Sequence, residues 1–169
     1  KDGVLYIKER NPRKAFWGGA RSENCNITLT VPKNVAMDSM EIKLAMGNVN
    51  VEGITTINCE ALTNMGNCTF EKCSFGEADI DTNMGEIIIK GTQLGEADID
   101  NDMGTIKMER CIFQDLNVDN SMGDIFIDAN QSLDNCQIEL KADMGEVRVN
   151  GQSEGTKYRQ SGNAGKLEA

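Results

Sequence analysis

Apolar and polar residues alternate along most of this chain, and the alternation restarts at a fixed interval. Met-Gly marks it, at Met46-Gly47, Met65-Gly66, Met84-Gly85, Met103-Gly104, Met122-Gly123 and Met144-Gly145. The numbering advances between them by 19 four times and by 22 at the last step. Take each Met as position zero. Six and four residues before it stand Met40/Ile42, Cys59/Ala61, Ala78/Ile80, Ala97/Ile99, Leu116/Val118 and Ile138/Leu140. Three and five residues after it stand Val49/Val51, Cys68/Phe70, Ile87/Ile89, Ile106/Met108, Ile125/Ile127 and Val147/Val149. All 24 of these positions are apolar, and the interleaved ones are polar except at Leu62, Ile88 and Phe126. A period of two places successive side chains on opposite faces, which predicts half-buried strands rather than helices.

Each repeat thus holds two short strands, one on either side of Met-Gly. A further apolar ladder lies nine residues before the Met, at Met37, Phe75, Leu94 and Phe113. A unit this small cannot bury its own apolar face, but stacked copies can. Equivalent strands then pair in parallel at about 4.8 Å per coil, and each interior position becomes a column of like side chains. An antiparallel sandwich would need hairpin turns and would not hold a constant phase. The near-identical segments Phe75–Asp81 and Leu94–Asp100 strengthen the repeat. The expected fold is all-β, a parallel β-solenoid with one repeat, about 19 residues, in each coil. It forms one domain. Residues 36–150 make six repeats. Residues 1–35, with strand candidates Val4–Ile7 and Ile27–Val31, are expected to cap the first coil and cover its strand edges. The longer last step predicts a bulged loop around Asn130–Asn135, and residues 151–169 are expected to continue the path as one loose coil.

The repeat also bears on chemistry. Six thioethers in register would suit a soft cation such as Cu(I). Continued alternation, however, turns the Met inward, where a flexible side chain fills a core gap. The adjacent Gly supplies a positive φ angle or a close coil-to-coil approach. Among the six cysteines, Cys59 and Cys68 fall in interior columns. Cys73 and Cys111 share a phase but lie two coils apart, roughly 10 Å, too far for a disulfide. With Cys25 and Cys136 they are expected to be free and mostly buried thiols, as suits a reducing setting. On the outside, Asp79 stacks on Asp98, and Asp81 on Asp100 and Asp119, with Glu77, Glu96 and Asp115 alongside. Calcium would suit such oxygens, but these acids sit on strands rather than tight Gly/Asp turns. A solvated face that blocks lateral aggregation is the expected role. Phe126, Ile88 and the segment Phe16-Trp17-Gly18-Gly19 are outward contact points for a ligand or partner, or lie under a loop.

Charge narrows the partners. The net charge is −10, while residues 1–21 carry a local excess of +4, so the rest of the chain sums to −14. An acidic body disfavours nucleic acid and anionic lipid; the basic segment is expected to sit against it. The chain has no histidine, which excludes Ser-His-Asp and Cys-His catalysis and all His-liganded metal sites. No apolar run is long enough to cross a membrane as a helix. No signal peptide is visible, and a start at Lys1 leaves a leader or anchor open.

Two segments carry a family resemblance. Ile27-Thr28-Leu29-Thr30-Val31-Pro32-Lys33 leads into the repeats, and Ser121-Met122-Gly123-Asp124-Ile125-Phe126-Ile127 approaches a Ser-Gly-Asp turn followed by alternating apolar residues. With Gly145–Gly151, these make the chain similar to the bacterial adhesin-type family of β-strand-repeat domains, long classed as a domain of unknown function, over residues 3–169. Met stands where that family generally has Ser, which removes any role for a turn hydroxyl. The resemblance implies a right-handed, single-stranded β-helix on the bacterial envelope, tethered to the membrane outside this domain; a cytoplasmic location is the alternative. It brings no catalytic, cofactor-binding or metal-binding residues. The expected function is a non-catalytic surface module that presents an acidic β-face to a glycan, cell-wall component or protein. The alternatives are a carbohydrate-active β-helix enzyme using Asp81, Asp100 and Asp119, and a structural spacer. The oligomeric state stays open.

Overall fold

The computed structural model describes residues 29–31, 35 and 37–162. The chain divides into two compact units, Lys1–Val31 and Pro32–Ala169. Of the first, only Leu29–Val31 are described, and they lie in no strand. The strand candidate Val4–Ile7, the Phe16–Gly19 segment and Cys25 all fall outside the described residues.

The second unit is a parallel β-solenoid with no helix among the described residues. Its strands are β1 (Met37–Met46), β2 (Val49–Glu52), β3 (Thr55–Met65), β4 (Cys68–Glu71), β5 (Ser74–Met84) and β6 (Ile87–Lys90). They continue as β7 (Gln93–Met103), β8 (Ile106–Met122), β9 (Ile125–Ala129), β10 (Gln137–Met144) and β11 (Val147–Val149). The last two are β12 (Gln152–Gly155) and β13 (Lys157–Gln160). Two sheet faces result. The first runs β1-β3-β5-β7-β8-β10 and the second β2-β4-β6-β8-β9-β11, all in parallel. Long β8 joins both faces, through a bulge between Glu109 and Cys111.

Register follows the constant phase of the repeat. Ala61 pairs with Ile80, Ile80 with Ile99 and Ile99 with Val118. The four interior columns read from the sequence are buried throughout, except at half-buried Met40 and Ile42. The ladder nine residues before the Met is also interior, with Thr56 buried alongside Phe75, Leu94 and Phe113. Phe75 packs edge-on against Phe70, ring centroids 5.8 Å apart. A further column, Cys73, Thr92 and Cys111, is buried too.

Each coil turns twice. One corner is Met-Gly. The other carries a left-handed residue in four coils: Gly53, Lys72, Gly91 and Arg110, with φ between 53° and 67°. Backbone hydrogen bonds run from coil to coil through both corners, for example Gly85 N–H to the Met103 carbonyl at 2.9 Å and Gly91 N–H to the Glu109 carbonyl at 2.8 Å. Polar backbone at the bends is therefore satisfied by the next coil.

The extra residues of the last step form the non-strand segment between Ala129 and Gln137, where they were expected. The tail departs from expectation. It does not add another parallel coil. Asn150 (φ 49°) and Gly151 (φ 80°) reverse the chain. β12 then runs antiparallel to β11, and β13 antiparallel to β10. Asn-Gly with φ positive at both positions is the signature of a tight primed hairpin turn. The returning strands occupy edges of β10 and β11 that would otherwise recruit another strand.

Candidate functional site

Three outward surfaces carry chemistry, and the Met-Gly corner lies between the two sheet faces. Continued alternation predicts an inward Met, and here the structure corrects the sequence reading. Met46, Met65, Met84, Met103, Met122 and Met144 are all exposed, from 38% at Met122 to 72% at Met46. The side chain two residues earlier is the one that stays inside: Thr63, Thr82, Asn101, Asn120 and Ala142 are buried. After that residue two successive side chains face out, so the parity slips at the bend.

The buried polar residues hold the corner. Asn101 Nδ2 donates to the Gly85 carbonyl at 3.0 Å, and its Oδ1 accepts from Met103 N–H at 3.3 Å. Asn120 Nδ2 donates to the Gly104 carbonyl at 2.9 Å. Thr63 and Thr82 hydroxyls contact the Cys68 thiol instead. On the outer side, Asn48 Oδ1 accepts from Asn67 N–H, Asn67 Oδ1 from Glu86 N–H, and Asp124 Oδ1 from Glu146 N–H, at 2.9–3.0 Å. The methionines pair in register along the bend, Met46 with Met65 and on through Met84, Met103 and Met122 to Met144. They form a continuous thioether column.

The acidic surface lies on the first sheet face. Asp79 pairs with Asp98, Asp81 with Asp100, and Asp100 in turn with Asp119, as the phase requires. A lysine flanks the acids at each end of this face. Lys43 bridges Glu41 (2.7 Å) and Glu60 (3.1 Å), and Lys141 bridges Asp119 (3.2 Å) and Asp143 (2.9 Å). Asn117 donates to Asp98 at 2.9 Å. Partial burial, then the neighbouring carboxylates, push the Asp79 and Asp100 carboxyls above the usual range. Among the described residues no group of three or more acids or thiols is arranged to hold a metal ion. Asp81, Asp100 and Asp119 do come together, as one column in register.

The second sheet face carries a shallow, open depression of about 460 Å³, lined in part by Lys107, Arg110, Phe126, Asp128 and Arg148. The Arg148 guanidinium carbon lies 5.9 Å from the Phe126 ring centre, within reach of a cation–π contact. Glu146 fixes that guanidinium from the side at 2.7 Å. Phe126 and Ile88 are both outward and half-buried, as alternation predicts.

The five described cysteines are free and buried. Cys59 and Cys68 occupy the interior columns read from the sequence. Burial pushes the Cys59 thiol up to about 12 and raises those of Cys73, Cys111 and Cys136. Such thiols are poor nucleophiles. The Cys73 and Cys111 thiols instead face backbone carbonyls, of Glu71 (3.3 Å) and Ile89 (3.4 Å) respectively.

Comparison with protein families finds a match to the model described as Toastrack DUF4097, over residues 1–168. Comparison with curated proteins and with solved structures finds no match.

Proposed function

The chain belongs to the Toastrack DUF4097 family, and on that premise we propose that it is a non-catalytic binding module of the bacterial cell envelope. It works as an adhesin or envelope sensor by presenting the acidic face to a ligand. The observation that carries this reading is the in-register stack Asp79–Asp98 beside Asp81–Asp100–Asp119. Carboxylates held at strand spacing on a rigid sheet make a concentrated negative strip; partial burial first, and then this strip, raise the Asp79 and Asp100 carboxyls. Such a strip attracts ligands bearing amino groups or basic side chains, and it speeds their encounter more than it tightens the complex. The described acids repeat with the scaffold rather than gathering into one unequal pair, which is what acid–base cleavage of a glycan requires.

The test is binding of the purified chain to an array of glycans, cell-wall fragments and proteins. A variant with Asp79, Asp81, Asp98 and Asp100 all replaced by Asn is run in parallel. Binding that falls at least tenfold in the variant, and weakens with salt, is the expected result. No binding anywhere, or equal binding by both proteins, would overturn the reading.

A further inference from the structure

The corner pairs two invariant residues, and only one of them is explained by folding. Gly is required, because a Cβ at Gly66, Gly85, Gly104, Gly123 or Gly145 would stand 1.8–2.0 Å from the carbonyl oxygen of the preceding corner glycine. Met is not required by packing, since its side chain is outside in all six coils. Its outward neighbours differ from coil to coil. The residue before it is Ala45, Asn64, Asn83, Asp102, Ser121 or Asp143, and the second residue after it is Asn48, Asn67, Glu86, Thr105, Asp124 or Glu146. An exposed turn position ordinarily takes a polar residue, because leaving a side chain of this size outside the core forgoes roughly 1.5–3 kcal/mol. Elsewhere among the described residues, apolar groups turned outward include Ile57, Leu62, Ile88 and Phe126. Where Met lines an interior column it is covered: Met108 is 1% exposed and Met40 is half-buried against the core. Six identical outward residues therefore point to a property that Leu and Ile lack, and the distinctive group is the thioether.

From this we infer that the methionine column is a binding site for a soft monovalent cation of the Cu(I) class, held by thioether sulfurs from successive coils. Thioethers prefer such ions over hard cations. The geometry suits them. Successive methionines are fixed one coil apart, about 4.8 Å, by corner hydrogen bonds from each Gly N–H to the next Met carbonyl. Their flexible side chains can lean from either flank toward a central one, so three neighbours converge on one ion. Six methionines provide two such groups, Met46/Met65/Met84 and Met103/Met122/Met144. Exposed Asp102 stands next to the second group and adds attraction for a cation. The five described thiols, which would compete for the same ion, are buried.

The experiment titrates Ag(I), a redox-inert stand-in for Cu(I), into the folded chain carrying ¹³C-methyl methionine, after iodoacetamide has blocked accessible thiols. NMR follows each methyl group. The corner methyls are expected to shift together and saturate at about two ions per chain, while buried Met108 stays still and Zn(II) moves none of them. Replacing Met84, Met103 and Met122 with Leu keeps the apolar surface and should weaken Ag(I) binding at least tenfold with little change in melting temperature. Should that variant not fold, M103L alone is used, and the second group is expected to lose its ion. Corner methyls that ignore Ag(I), that respond equally to Zn(II), or affinity unchanged in the Leu variant would each overturn the inference.

Discussion

A Cβ added to Gly85 would stand 2.0 Å from the carbonyl oxygen of Gly66, the equivalent residue one coil earlier. No rotamer relieves that contact, because the obstacle is backbone. Gly85 also has φ +148°, a region L side chains rarely adopt. Gly85→Ala is therefore expected to cost roughly 2–4 kcal/mol from strain and overpacking together. Chemical denaturation should show it as an earlier midpoint, and a midpoint equal to that of the natural chain would contradict the close corner stacking.

Ile99 and Met103 lie on the same strand with opposite roles. Ile99 is fully buried between Ile80 and Val118, whereas Met103 is 43% exposed. Ile99→Ala should cost about 2–5 kcal/mol, and Met103→Ala under about 1 kcal/mol. The ratio decides the corner: comparable losses would put the methionine back in the core.

Asp100 gives a pH signature with a definite sign. Its folded carboxyl lies above the usual range because of partial burial and then Asp98, Asp119, Asp81 and Asp79. The folded chain thus holds the proton more tightly than the unfolded chain does. The contribution to stability is full below the ordinary Asp value of about 3.9 and is lost as pH rises through the folded value. Asp100→Asn is accordingly expected to raise the melting temperature at pH 7, with the gain shrinking as pH falls through the carboxyl range. Added salt should narrow the same gap.

The buried thiols predict selective chemistry. Cys59, with its thiol at about 12, and Cys68, Cys73, Cys111 and Cys136, all buried, should resist DTNB in native buffer and react after denaturation. Rapid native labelling at any of these five positions, located by peptide mass, would show that the coils open readily.

The columns were legible because burial and alternation coincide along straight strands: Ile80, Ile99 and Val118 could be aligned by counting. The corner was not. Alternation assumes an extended chain, and that assumption ends at Met84 and Met103, where Gly85 has φ +148° and Gly104 φ +141°. The true interior residue there is polar, Thr82 or Asn101, and apolar patterning cannot detect a polar group whose partners, Cys68 and the Gly85 carbonyl, come from the preceding coil. The acidic column was legible as register, since Asp81, Asp100 and Asp119 share a phase, whereas the pairing of Asp119 with Lys141 required the longer last step to be resolved into loop and strand. The depression at Phe126 draws Lys107 and Arg148 from neighbouring coils, a closeness that only stacking creates. The reversing tail could have been found. Asn150-Gly151 between Val147–Val149 and the following residues is a strong short-range hairpin signal that competes with the phase of the repeat.

The constant register has a consequence for how such a chain changes size. Every coil meets its neighbours through the same columns, so adding or removing one whole repeat keeps the register of the stack. The near-identical segments Phe75–Asp81 and Leu94–Asp100 have the form that copying one unit would leave. Copy number then works as a gauge: each added unit lengthens the stack by about 4.8 Å and contributes one more thioether and one more strand to the outer face. The dose of surface chemistry can be reset by duplication alone, with no new packing problem to solve.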